Sequence, residues 1–182
     1  GELCQVISSL PALSCPRLTS LHINHNKFTT LPASVFSFCS TLVKLDVSNN
    51  LLKELPQTWK HFVSLQQLHF ARNPLREIPD DIFRMPQLIG LHADHCTIES
   101  IPASVGCCKQ LAVLDVRYNR IRRLPRQIGM LGALSVLSVE GNPLQDPPLR
   151  LRHNTVAMLE HVRSRPVTPP PASTAAGSAP LP

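Results

Sequence analysis

Residues 111–131 read LAVLDVRYNRIRRLPRQIGML, and their apolar spacing decides the fold. Leucine, valine and isoleucine recur at intervals of two and three around Asn119, and Pro125 follows Leu124. A spacing of two is typical of a strand with one buried face, whereas a spacing of three suits a helical turn. The stretch therefore predicts a short strand, a turn at the asparagine and a return segment that begins with proline.

The pattern L-x-x-L-x-L-x-x-N-x-L-x-x-L-P recurs along the chain. It starts at Leu18, Leu42, Leu65, Leu88, Leu111 and Leu134, with successive starts 24, 23, 23, 23 and 23 residues apart. Such periodicity indicates a solenoid, in which each repeat buries its apolar residues against its neighbours. Over about residues 18–163 the chain resembles intracellular leucine-rich repeat proteins of the Ras-adaptor and Scribble-like kind. The resemblance implies an α/β horseshoe with a parallel sheet on its concave face, short helices or 3₁₀ turns on its convex face, and a C-terminal capping helix.

Two further columns of the repeat are interpreted as structural. An inward asparagine can satisfy backbone groups where the chain leaves the strand, because its amide both donates and accepts. This predicts an asparagine ladder of Asn26, Asn50, Asn73, Cys96, Asn119 and Asn142. After each proline, apolar pairs spaced by three predict a buried convex side: Trp59/Phe62, Ile82/Met85, Val105/Cys108 and Ile128/Leu131. Trp59 is therefore assigned to the core, with a binding role as the alternative.

The repeats divide the chain into four parts. We expect 1–17 to be a remnant of a preceding irregular repeat or an N-terminal cap helix, so that the chain is a fragment, and 18–148 to form six leucine-rich repeats. Residues 149–164 resemble the family's terminal unit and predict a capping helix, with Asn154 as N-cap and Val156, Leu159 and Val162 as its apolar stripe.

The segment 165–182 lacks apolar periodicity and is rich in proline, alanine and serine, which predicts disorder. Arg163, Pro166 and Pro169 fit an R-x-x-P-x-x-P ligand of SH3-type domains, and Thr168-Pro169 fits a proline-directed phosphorylation site. A plain linker is the alternative.

Composition excludes several classes of protein. The chain is 43% apolar and 16% charged, as in ordinary globular domains. It contains no run of about 18 apolar residues, so no membrane span is expected. Its six cysteines lack the terminal clusters of extracellular leucine-rich repeat proteins, and it has no N-x-S/T sequon. We expect reduced thiols and a cytoplasmic location, with redox sensing by Cys107 as a minor alternative.

The fold does not determine the residues between the leucines, so these residues are the candidates for a functional site. They predict a partner-binding concave face consisting of His22, Asn24, His25, Asp46, His69, Arg72, His92, Asp94, His95, Asp115, Arg117 and Tyr118. Long charged and aromatic side chains favour protein binding. A metal or catalytic site around His92 and Asp94, and a merely solvated surface, are the alternatives. Histidines titrate near neutrality, so binding is expected to change between about pH 7.5 and 6.

The formal net charge is +6, and arginines are concentrated in the fifth repeat and near the C-terminal end. A partner with an acidic patch fits this charge, and a merely solvated basic face is the alternative. Nucleic acid is not expected, because aromatic residues are only 4% of the chain and mostly interior.

No nucleophile–base pair, phosphate-binding loop or metal cluster emerges from the sequence. We therefore predict a protein without enzymatic activity or cofactors that acts as an interaction scaffold or adaptor in intracellular signalling. The resemblance suggests a small GTPase, phosphatase or kinase pathway. The alternative is a targeting or substrate-recognition domain of a larger enzyme, such as a kinase, cyclase or ubiquitin ligase.

Overall fold

The computed structural model describes residues 18–31, 40–57, 59 and 61–165. Six short strands form one parallel sheet in sequence order, each paired with the next. They are β1 (Ser20–His22), β2 (Lys44–Asp46), β3 (Gln67–His69), β4 (Gly90–His92), β5 (Val113–Asp115) and β6 (Val136–Ser138). Equivalent residues are in register, so that Leu45 pairs with Leu68 and Leu68 with Leu91. The predicted parallel sheet is confirmed.

The return segments form the opposite layer. They contain 3₁₀ helices at Asp80–Arg84, Ala103–Cys107, Arg126–Met130 and Leu149–Leu151. The first three follow Pro79, Pro102 and Pro125. Proline suits this position because a backbone N–H there would have no hydrogen-bond partner within the helix. All four predicted convex pairs are buried, including Trp59 and Phe62, whose rings lie 5.0 Å apart. The predicted leucine-rich repeat architecture is therefore confirmed on both sides.

The core lies between these layers. The central leucines of β2 to β5 are fully buried, as are Phe70 and Phe83. Burying one such side chain contributes about 1.5–3 kcal/mol relative to exposure. Because every repeat supplies equivalent side chains, one continuous apolar cluster runs from Ile23 to Val162.

The buried asparagines join neighbouring repeats by the same set of hydrogen bonds. The Asn119 amide donates to Ala93 O and Val116 O over 2.8 and 3.0 Å, and its Oδ1 accepts from Ile98 N over 2.9 Å. Asn50, Asn73 and Asn142 repeat this arrangement. In the first repeat, Asn26 donates to Ile23 O and Asn24 O. Each asparagine with all three bonds therefore satisfies backbone groups at the turn of its own repeat and backbone groups of the preceding repeat.

Cys96 occupies the fourth position of the asparagine ladder and makes weaker hydrogen bonds than the asparagines do. Its thiol donates to Phe70 O over 3.5 Å and to Asp94 O over 3.6 Å. Burial raises the pKa of Cys96 to about 11, so the thiol is protonated at neutral pH. Cys96, Cys107 and Cys108 are free thiols, whereas Cys4, Cys15 and Cys39 lie outside the described residues.

Helix α1 (Thr155–Ser164) closes the C-terminal end of the core, as predicted. The Asn154 side chain caps it by accepting from Ala157 N over 3.0 Å. The predicted apolar stripe is wrong at Val156, which is 64% exposed. Thr155, Met158, Leu159 and Val162 share the inner face, with the spacing i, i+3, i+4 and i+7. Because the Thr155 hydroxyl accepts from Leu137 N on β6, the helix is rotated so that Met158 is buried and Val156 is not.

Polar side chains hold this end together. Arg163 donates to Gly129 O through Nε and Nη2 over 2.9 and 2.6 Å. Asp146 pairs with His161 Nε2 at 2.6 Å and with Arg165. These contacts join α1 to the last two repeats.

Several expectations concern residues outside the described part. The predicted unit 1–17 and the tail motifs at Pro166, Thr168 and Pro169 lie there, and the boundaries of the four parts stay predictions. Within the described residues, no helix combines the length and apolarity that crossing a membrane requires.

Candidate functional site: the concave face

The register of the sheet places equivalent residues of successive repeats side by side, about 4.8 Å apart. Three such columns make up the concave face. The first closes the strands and consists of His22, Asp46, His69, His92, Asp115 and Ser138. The second consists of Asn24, Ser48, Ala71, Asp94, Arg117 and Glu140. The third consists of His25, Asn49, Arg72, His95, Tyr118 and Gly141.

His69 and His92 form the centre of the first column. Their rings stack with centroids 4.3 Å apart and planes inclined by 8°. Partial burial is the main cause that lowers the pKa of His69 from its ordinary value of 6.5, and charge repulsion by His92 adds to it. Lys44 and His22 act in the same direction, while Asp46 opposes them. The stack therefore presents two half-buried imidazole rings, in which protonation of His69 is disfavoured.

Asp115 and Arg117 are tied to each other. Arg117 Nε lies 2.9 Å from Asp115 Oδ1, and Nη2 lies 2.7 Å from Oδ2. The Arg117 backbone N–H also donates to Oδ1 over 3.1 Å. These bonds raise the pKa of Arg117, and Asp115 is only 7% exposed. Arg117 therefore presents a largely neutralised guanidinium, which limits its use as a free cation for a partner.

Residues of the third column are held in the left-handed backbone region. The five that are not glycine, His25, Asn49, Arg72, His95 and Tyr118, have φ between 53° and 55°. This conformation is uncommon outside glycine, and asparagine and histidine tolerate it best. Pairing between repeats enforces it, since Arg72 N donates to Asp94 O and His95 N to Arg117 O, each over 2.9 Å. The column therefore has a fixed backbone that projects side chains along the strand ends.

His95 and Tyr118 make a second ring contact in this column. Their centroids lie 4.4 Å apart, and His95 Nδ1 lies 2.9 Å from Asp94 Oδ2. Tyr118 covers the backbone of Gly141, where an added Cβ would come within 2.4 Å of its Cδ1. Tyr118 is nevertheless 52% exposed, so a rigidly placed aromatic side chain faces solvent at this edge.

Other predicted site residues are not brought together. His22 lies three strands from His92, which separates them by about 14 Å at the usual strand spacing. His22 contacts Ser20 Oγ at 2.9 Å and lies 3.8 Å from Asp46, while Asn24 is half-buried and His25 exposed in the same first repeat. Across the described ranges, no group of three or more histidine, cysteine, aspartate and glutamate side chains is arranged to hold a metal ion.

Sequence reasoning missed three features of the site. Ser48 belongs to the second column of the concave face but is buried, and its N–H donates to Asp46 Oδ1 over 2.9 Å. The Asp115–Arg117 tie depends on rotamers that the sequence pattern does not reveal. The left-handed column had a detectable signal, because it contains glycine, asparagine and histidine at one position of the repeat.

Comparison with known proteins agrees with this geometry. Residues 16–75 match the family described as Leucine rich repeat. A segment of 56 residues, 31% of this chain, is 45% identical to a probable serine/threonine-protein kinase of Dictyostelium discoideum but spans only 4% of that protein.

Solved structures extend the likeness. A leucine-rich repeat protein of Leptospira interrogans is 25% identical with a TM-score of 0.69, covering 78% of this chain and 35% of its own. A chain of the Drosophila Toll–Spatzle complex is 25% identical with a TM-score of 0.61, covering 66% of this chain and 18% of its own. This chain thus spans well under two thirds of each of these proteins.

Proposed function

Because the chain is a leucine-rich repeat protein, a fold that serves as a protein–protein interaction module, we propose that it holds a protein partner against its concave face. The observation that carries this proposal is the parallel register, which arrays three columns of mostly polar side chains on one surface. Two ring pairs and a left-handed backbone column are already ordered there. Binding to ordered groups loses less conformational entropy than binding to mobile ones.

The proposed contact residues are those predicted from the sequence. Arg72 and Tyr118 are exposed and form the edge of the surface, and His69 and His92 form its centre. Arginine and tyrosine are frequent hot spots of protein interfaces. Support comes also from the solved Toll–Spatzle assembly, a complex of a structurally similar chain.

We further propose that the module acts without catalysis as a scaffold or adaptor in cytoplasmic signalling. The cytoplasmic location rests on the sequence, whose cysteines lack the terminal clusters of extracellular leucine-rich repeat proteins. A small GTPase, phosphatase or kinase pathway remains the proposed setting. The Dictyostelium match includes 4% of the kinase, so the alternative role as a recognition domain of a larger enzyme rests on the sequence interpretation alone.

Affinity capture from lysate tests the proposal. The double variant His69→Glu/Arg72→Glu changes the concave face, and His61→Glu/Arg84→Glu makes the same charge change at exposed positions of the return segments. We expect a captured protein to be lost only with the first variant while both variants keep the melting temperature of the parent. Equal capture by all three proteins would contradict binding on the concave face.

A further inference from the structure

A second surface lies beyond the asparagine ladder, where the chain leaves the concave face. Lys53, Pro74, Arg76, Thr97 and Arg120 line one open hollow of about 450 Å³. They come from four successive repeats. Pro74, Thr97 and Arg120 each follow a ladder residue directly, while Lys53 and Arg76 lie three positions after one. The repeat geometry therefore brings the side chains of Lys53, Arg76 and Arg120 to the same hollow.

The three cations of this hollow are not held by ion pairs within the described part of the chain. Lys53, Arg76 and Arg120 are exposed, and in the part of the chain that the structure describes none of their side chains takes part in an ion pair or hydrogen bond. Among the residues that the structure describes, no acidic one lines the hollow. The wall between them is fixed, since the Thr97 hydroxyl donates to Leu75 O over 2.8 Å. By contrast, arginines at the C-terminal end donate to backbone carbonyls of their own chain.

The surroundings restrict the size of the anion. Glu54 and Glu77 directly follow Lys53 and Arg76, and Glu99 is two residues after Thr97; all three are exposed. These carboxylates would repel an extended polyanion such as RNA or an anionic membrane surface. The described residues that line the hollow also include no aromatic side chain on which a base could stack. A compact anion on a peptide fits within the hollow without extending along these carboxylates, and it needs no aromatic stacking partner.

We propose that this hollow binds a phosphorylated serine or threonine of a protein partner. A phosphate carries a charge near −2 at neutral pH and three acceptor oxygens, which arginine guanidinium groups recognise in paired hydrogen bonds. Arg76 and Arg120 supply these donors, Lys53 adds a point charge, and Pro74 and the Thr97 methyl group contact the flanking peptide. The site is distinct from the concave face and does not depend on the binding function proposed there.

An NMR titration tests this site. The probe is the blocked pentapeptide Gly-Gly-Ser-Gly-Gly with phosphoserine at its centre, added to ¹⁵N-labelled full chain, and the unphosphorylated peptide is the reference. We expect saturable shifts at Lys53, Arg76, Thr97 and Arg120 with the phosphopeptide only. The variant Arg76→Gln/Arg120→Gln should bind it at least about tenfold more weakly, since two charge-assisted contacts are lost.

The control variant Arg122→Gln/Arg150→Gln removes the same charge from exposed arginines outside the hollow and should keep the affinity of the parent. Equal weakening in both variants would reduce the effect to general attraction by a basic protein and overturn the proposal. So would shifts that map elsewhere, equal response to both peptides, or stronger binding to phosphatidylserine vesicles than to the peptide.

Discussion

The C-terminal end and the centre of the concave face use the same kinds of side chain in opposite ways. At the end, Arg163 is bound to Gly129 O, and Asp146 pairs with His161. At the centre, Arg72 is exposed and His69 stacks on His92. The end uses arginine and histidine to fix a helix, whereas the centre leaves Arg72 exposed and its stacked histidines half-buried. Abundance of charge therefore does not locate a binding surface; the lack of internal partners does.

This difference changes the interpretation of the basic residues. The sequence suggests one acidic-partner surface around the fifth repeat and the C-terminal end. Several of these arginines donate within the chain: Arg117, Arg123, Arg152, Arg163 and Arg165. Others have no internal side-chain partner among the described residues: Arg120, Arg122, Arg126 and Arg150. The arginines therefore fall into two groups: those that stabilise the fold and those whose side chains are available to a partner.

The largest expected effect concerns the cap. Met158→Ala should lower the free energy of unfolding by about 2–4 kcal/mol, because Met158 is fully buried under α1 and its removal leaves a cavity. Val156→Ala, on the exposed side of the same helix, should change it by less than about 0.5 kcal/mol. Urea denaturation measures both. Equal losses would show that the orientation assigned to α1 is wrong.

The next effect concerns the ladder. Asn119→Ala should cost about 2 kcal/mol, since Ile98 N, Ala93 O and Val116 O lose buried partners. Cys96→Ala should cost less, because the thiol bonds are longer and weaker. Urea denaturation of the two variants gives the ranking. A more damaging change at Cys96 would argue that packing, not hydrogen bonding, determines the ladder's contribution.

A smaller effect is expected at the edge of the concave face. Gly141→Ala should destabilise by about 1 kcal/mol, since its φ is 72° and the new methyl group would displace Tyr118. Gly132→Ala is the control, because an added Cβ there meets nothing within 4 Å. Thermal unfolding gives the stability change, and NMR shifts of His95 report the displaced ring. Unchanged His95 shifts would contradict the proposed ring contact.

The smallest effect is a dependence on pH. The lowered pKa of His69 means that the unfolded chain binds its proton more readily. Stability should therefore fall slightly as pH decreases through 6.5 towards the folded-state value, and be regained as pH rises. Titration by NMR should place the His69 midpoint below 6.5, and His92→Gln should raise it by removing charge repulsion. A midpoint at or above 6.5 in the parent protein would contradict the assigned environment.

The sequence predicts the repetitive part of the molecule well, because the same residues have the same task in every copy. The leucines of the strands and the convex pairs follow from spacing. The Asn154 cap follows from the resemblance to the family's terminal unit together with the chemistry of its side chain. The candidate site is less predictable. Which rings stack, and whether Arg117 is free or bound to Asp115, depends on rotamers and on neighbours supplied by different repeats. The predicted apolar stripe is wrong at Val156, because spacing alone allows several sets of positions to form such a stripe. A tertiary contact, here Thr155 with Leu137, selects one set.

The cysteine in the ladder also makes the chain its own reporter of local opening. Cys96 is buried and its thiol is protonated at neutral pH, so a thiol-specific reagent reacts only when the fourth repeat opens and exposes it. Its labelling rate, compared with that of exposed Cys107, would measure the free energy of this local event without unfolding the whole chain. The repeats are alike in sequence, but the cysteine in the fourth ladder position makes the opening and closing of that repeat measurable.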